Sequence, residues 1–131
     1  MNREIKFRGK DIGCNKWRYG SLVKVRENDG TLLYYIVDEE NQQWIVFPET
    51  VGQYTGFYDM DDRKIFERDI VEENELLYIV IWDEYECAYN LKSLKTEMLY
   101  GLYNAKKKNK DSSIKVIGNE IDNFELLEVS Q

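Results

Sequence analysis

LLYIVIWD, residues 76–83, decides the fold. Read at the two-residue period of a strand, Leu76, Tyr78, Val80 and Trp82 point one way and Leu77, Ile79 and Ile81 the other. A strand that is apolar on both faces belongs in the middle of a sheet, covered on both sides. Its apolar run, 76–82, is far too short to span a bilayer as a helix.

Upstream, shorter ribbons repeat the pattern. REIKFR at 3–8 alternates, with Ile5 and Phe7 opposite Glu4, Lys6 and Arg8. WRYGSLVKVR at 17–26 sets Leu22 against Val23 and Val25 on the other side. TLLYYIVD at 31–38 is apolar on both faces, and QWIVF at 43–47 follows. Asn28-Asp29-Gly30 is a hairpin signal, since Asn and Gly tolerate positive φ. DIGCNK at 11–16 and Asp38 to Asn41 read as turns. Pro48 then ends a strand, because it cannot donate to a ladder. Gly52 and Gly56 bracket a bend that holds Tyr54 inward. Asp59 to Lys64 form a polar turn, and Glu67-Arg68-Asp69 a second reversal between Ile65-Phe66 and Ile70-Val71.

Downstream the period changes. Leu91, Leu94, Met98, Leu99, Leu102 and Tyr103 recur every three or four residues, which predicts an amphipathic helix near 93–108. Gly101 weakens that helix by roughly 1 kcal/mol. The lysines at 106–110 suit its C-terminal dipole. IKVIG at 114–118 is the last strand, and ELLEV at 125–129 packs its leucines after Asp122-Asn123.

Composition narrows the function. The net charge of −7 disfavours nucleic acid and anionic membranes as partners. Histidine is absent, so Ser-His-Asp and Cys-His machinery cannot be built from this chain. Cys14 and Cys87 follow no secretory signal and read as reduced thiols of a cytoplasm.

PETVGQYTG at 48–56, KIFERDIV at 64–71, VIWD at 80–83 and VIGNEIDNFELL at 116–127 together resemble the YopX family of phage and prophage proteins. REIKFRGKD and NKWRYGSLV resemble that family's N-terminus, so the resemblance spans roughly 3–127. It implies a mainly β fold: a small, partly open, SH3-like barrel over 46–131, a packed N-terminal β lobe over 1–45, and one helix. It implies a protein of a mobile genetic element and no known reaction, substrate or catalytic residue; with the reduced thiols this places it in the cytoplasm of a host cell, and no cofactor is expected. Two turns depart from the family pattern. Arg68 stands where the family has glycine, and Asp61-Asp62-Arg63 where it has Asn-Gly.

Three functions follow as expectations. The first is a non-enzymatic module that binds another phage or host protein, or assembles with itself, since LLYYIVD and LLYIVIWD offer more apolar surface than one thin sheet buries. The second is nucleic-acid binding on a barrel face through Arg18, Lys24 and Arg26, joined by Lys106, Lys107, Lys108 and Lys110. The third is an enzyme centred on 59–69, with a carboxylate pair drawn from Glu49, Asp59, Asp62, Glu67, Asp69 and Asp83 or a metal held by Asp59, Asp61, Asp62 and Asp69. It is weakened because an EF-hand would need different residues at Arg63, Lys64 and Ile70.

Overall fold

The computed structural model describes residues 3–102 and 112–129. The chain divides into two compact units, Met1–Tyr54 and Thr55–Gln131. The division falls later than the lobe boundary expected at 45/46. Gln53 and Gly52 pair with Phe7 and Arg8, so the start of the next strand belongs to the first unit.

The first unit is an antiparallel sheet of β1 (Phe7–Lys10), β2 (Trp17–Arg26), β3 (Leu32–Val37) and β4 (Gln43–Val46), in the order β4-β3-β2-β1. The start of β5 (Gly52–Tyr58) lies beside β1. The β2–β3 hairpin closes where Gly30 takes φ +92° and the Asp29 carboxylate accepts the Thr31 N–H at 2.9 Å. Asp38 closes the β3–β4 turn by accepting the N–H groups of Glu40 and Gln42, both at 2.9 Å. After β4, Pro48–Thr50 make one 3-10 turn. Thr50 Oγ1 pins it, accepting the Lys10 N–H at 2.9 Å and donating to the Phe47 carbonyl at 2.6 Å. Ile36 and Val46 are fully buried on one face of this sheet, and Tyr54 points inward as expected.

The second unit contains the far half of β5, which has β6 (Lys64–Phe66) as neighbour, and a five-stranded antiparallel sheet. That sheet joins β7 (Asp69–Glu73), β8 (Leu76–Asp83), β9 (Ala88–Ser93), β10 (Leu99–Gly101) and β11 (Lys115–Asn119) in the order β10-β9-β8-β7-β11. The stretch read first in the sequence is β8, and it is central, paired on both sides. Val71, Tyr78, Val80 and Leu91 form the core with Ile65, Leu102 and Ile114. Neither sheet closes on itself, so the fold is mainly β and partly open.

The helix predicted near 93–108 does not form over 93–102; its remainder lies outside the described residues. β9 turns back into β10 instead, with Leu99, Tyr100 and Gly101 opposite Lys92, Leu91 and Asn90. Ser93 Oγ accepts the N–H groups of Lys95 and Thr96, and the Ser93 N–H donates to the Met98 carbonyl. The three- and four-residue spacing arises because Leu91 and Leu102 enter the core while Met98 and Leu99 lie exposed around the turn. A helix does occur, but at Glu125–Val129, here α1.

Both turns that departed from the family glycines keep a glycine-like backbone. Arg68 has φ +80° and Asp62 φ +61°. Arg68 is held by its N–H to the Val80 carbonyl at 2.9 Å, and its guanidinium pairs with Glu120 at 2.5 Å. A side chain at positive φ costs on the order of 1 kcal/mol, more than a half-exposed ion pair usually returns. Arg68→Gly in a Glu120→Gln background, where that pair is already gone, is therefore expected to gain about 1 kcal/mol in urea unfolding. A loss there would mean that packing of the arginine stem outweighs the backbone strain.

Candidate interaction surface

Strand pairing fixes which side chains share a face, because directly opposed residues point the same way. Along β2, β3 and β4 the registers are Ser21↔Val37↔Gln43, Val23↔Tyr35↔Ile45 and Val25↔Leu33. On these three strands the face carries no charged side chain, and on β1 it continues with Arg8 and Lys10, opposite Tyr19 and Trp17. It is also open: Tyr19 is 43% exposed, Val23 42% and Val25 37%, while Leu33, Tyr35, Val37 and Ile45 are half-buried. The opposite face holds the buried Ile36 and Val46. The sheet thus packs on one side and leaves an apolar, uncharged strip on the other. At one end of the strip lies a cavity of about 440 Å³. Tyr19, Ser21 and Val37 of the strip line it, with Glu4, Glu39 and Glu40 among the remaining walls.

The cations singled out from the sequence lie on the packed face. Arg18, Lys24 and Arg26 alternate along β2 with Leu22, whose partner Ile36 is buried. Each is engaged. The Arg18 guanidinium sits 4.3 Å from the Trp44 ring centroid, and its Nε donates to Asp11 Oδ2 at 2.6 Å. Lys24 Nζ lies 5.0 Å from the Tyr34 ring centroid, and Arg26 Nη1 donates to the Gly30 carbonyl at 3.1 Å. Such stacks desolvate a cation partly and cover the ring a base would need. Lys106, Lys107, Lys108 and Lys110 lie outside the described residues.

Asp11 organises the 11–16 turn. One carboxylate oxygen accepts the backbone N–H of Cys14 at 2.6 Å and of Asn15 at 3.2 Å, and the other accepts Arg18 and the Cys14 thiol. The Cys14 backbone N–H, with help from Arg18 and the thiol, holds this carboxyl well below the usual carboxylate range, against the opposing effect of burial. Since the folded state favours the ionised form, its contribution is present above about pH 4 and is lost as pH falls below that value. Asp11→Asn should therefore lower Tm at pH 7, and the gap to the unsubstituted protein should narrow by about pH 3. A gap that is constant across this range would refute the linkage.

Of the acidic residues of 59–69, Asp59 and Asp69 are spent on the backbone, and Asp61 and Asp62 are exposed. Asp59, 2% exposed, accepts the N–H groups of Asp61 and Arg63 through Oδ1 and of Val116 through Oδ2, all at 2.9 Å. Asp69 Oδ2 accepts the Phe66 N–H at 2.8 Å. Asp83, the third buried carboxylate of this unit, accepts Tyr85 and Glu86 N–H through Oδ1 and Asn90 Nδ2 through Oδ2. Oxygens filled in this way hold turns and strands together. Among the described residues, no three His, Cys, Asp or Glu converge in a metal-holding group, and no helix is long and apolar enough to cross a membrane.

Sequence reasoning singled out the charged residues of β2 and passed over their neighbours Val23 and Val25. The available signal was TLLYYIVD, apolar at every position from Leu32 to Val37 although only one face of the sheet is packed. Among curated proteins, none matches this chain. The family model described as YopX protein matches residues 6–128, both units together and nearly the whole chain, in agreement with the motifs read from sequence. The chain belongs to the YopX family.

Proposed function

We propose that this chain is a non-enzymatic accessory protein of a phage or prophage. It binds another protein, a second copy included, through the open face of β2–β3–β4. The observation that supports this reading is the contiguity of Val23, Val25, Tyr35 and Ile45 on a solvent-facing sheet with no charge among them. Single exposed apolar residues are ordinary, whereas a continuous uncharged strip on a chain of net charge −7 is not. Association would remove that strip from water, at roughly 25 cal/mol per Å² of apolar area.

Site-specific photo-crosslinking tests the reading. A photoreactive phenylalanine analogue replaces Tyr35 on the open face, or Tyr34 on the packed face as control, in cells that naturally carry the gene. Discrete protein adducts are expected from position 35 and not from 34. Equal yields at both positions would overturn the proposal.

A second reading, single-stranded nucleic-acid binding, is favoured by the shared face of Arg18, Lys24, Arg26, Tyr34 and Trp44. It requires the cations to leave their present partners. Retention on single-stranded DNA that falls steeply with salt, and falls further in Lys24→Gln/Arg26→Gln, would establish it in place of the first.

A further inference from the structure

The open strip ends in a cavity of opposite character, and that junction indicates the kind of partner. Four carboxylates line the cavity, those of Glu4, Asp38, Glu39 and Glu40, against a single ammonium, Lys6. Lys6 already lies 3.7 Å from Glu4. Asp38 is committed to its turn, whereas Glu39 and Glu40 are exposed at the tip of the same turn. Tyr19 and Val37 belong to both the cavity and the strip, so a ligand lying along the strip reaches the acidic walls without leaving the sheet.

Resting on the proposed docking role of this face, we infer that its partner is a basic–apolar protein segment. A lysine or arginine of that segment enters the cavity between Glu4, Glu39 and Glu40, and adjacent apolar side chains lie on Val23, Tyr35 and Val37. Charge decides between this occupant and a second copy. A two-fold self-pair brings each patch against itself, so the acidic rim would need a matching cation on the same patch. The ammonium available there is paired with Glu4, and Arg8 and Lys10 on β1 are stacked on Trp17. Two copies would therefore set unmatched carboxylates near one another, whereas a basic segment neutralises them. A volume of about 440 Å³ accommodates a long cationic side chain with its hydration.

The probe is a displayed library of random peptides of about 12 residues, long enough to lie along one strand face. It is selected on the full chain, with affinities read on the purified winners. The inference expects winners carrying Lys or Arg beside apolar residues. Their affinity should fall about tenfold in Glu39→Gln/Glu40→Gln, and comparably when salt is raised from about 0.05 M to 0.5 M. Val23→Lys should abolish their binding. Both variants alter exposed positions, and circular dichroism verifies that they fold. Winners that need Val23 but show no basic bias, or that bind the double variant unchanged, overturn the cation inference and leave the docking face standing. A chain that doubles its 15.7 kDa mass in light scattering, reversed by Val23→Lys, does the same in favour of a second copy. A selection that yields no winners, or winners indifferent to Val23→Lys, overturns both.

Discussion

Asp59→Ala is expected to lower the unfolding free energy by about 3 kcal/mol or more, in a chain whose total stability is on the order of 10 kcal/mol. One buried carboxylate serves three backbone N–H groups at once. Two of them shape the turn of Asp61 and Arg63, and the third belongs to Val116 in β11, 57 positions away in sequence. Removing the carboxylate takes this partner from all three donors and opens a void beside the contact between the Met60 N–H and the Ile114 carbonyl. Asp59→Asn should cost less, since its amide oxygen can keep the Asp61 and Arg63 bonds while its NH₂ faces the Val116 donor. Urea unfolding of the two variants orders them. An alanine variant within about 1 kcal/mol of the unsubstituted protein would show that the acidic segment is not architectural.

The second large effect lies in the first unit. A Cβ added at Gly20 would stand 2.1 Å from the Val37 carbonyl oxygen and 2.7 Å from its carbon, closer than atoms pack. Those atoms are backbone, so no side chain can swing aside. Gly20→Ala must push β3 away from β2 next to the Ser21↔Val37 pair, at a cost of about 3 kcal/mol. Urea unfolding reads the loss, and weakened amide protection at Ser21 and Val37 would locate it. Gly30→Ala makes a useful contrast, since no atom lies within 4 Å of the new methyl and only its φ of +92° opposes the change.

These cases show what the sequence can reveal. β2 and β8 were legible end to end, the first from ten residues of two-residue alternation and the second from a continuous apolar run of strand length. The reversal at Pro48 and the Asn28-Asp29-Gly30 hairpin were legible because ring closure and positive φ are properties of single residues. β9 and β10 were not, because Leu91, Leu94, Met98 and Leu99 mimic a helical stripe. Only the pairing of β9 with β8 sends Leu91 into the core. The architectural role of Asp59 was legible as a turn, but its bond to Val116 was not, since nothing local announces a partner so distant. The open strip was legible only in part. LLYYIVD offers more apolar surface than one sheet buries, but only the burial of Ile36 and Val46 on the other face identifies which side is left uncovered.

The Val23 side of this sheet is surface and not core. Urea unfolding of Val23→Lys at low protein concentration separates the two. Its stability is expected within about 1 kcal/mol of the unsubstituted protein, as for other exposed positions. A loss of about 3 kcal/mol or more, the cost of forcing a charge into a packed interior, would contradict it.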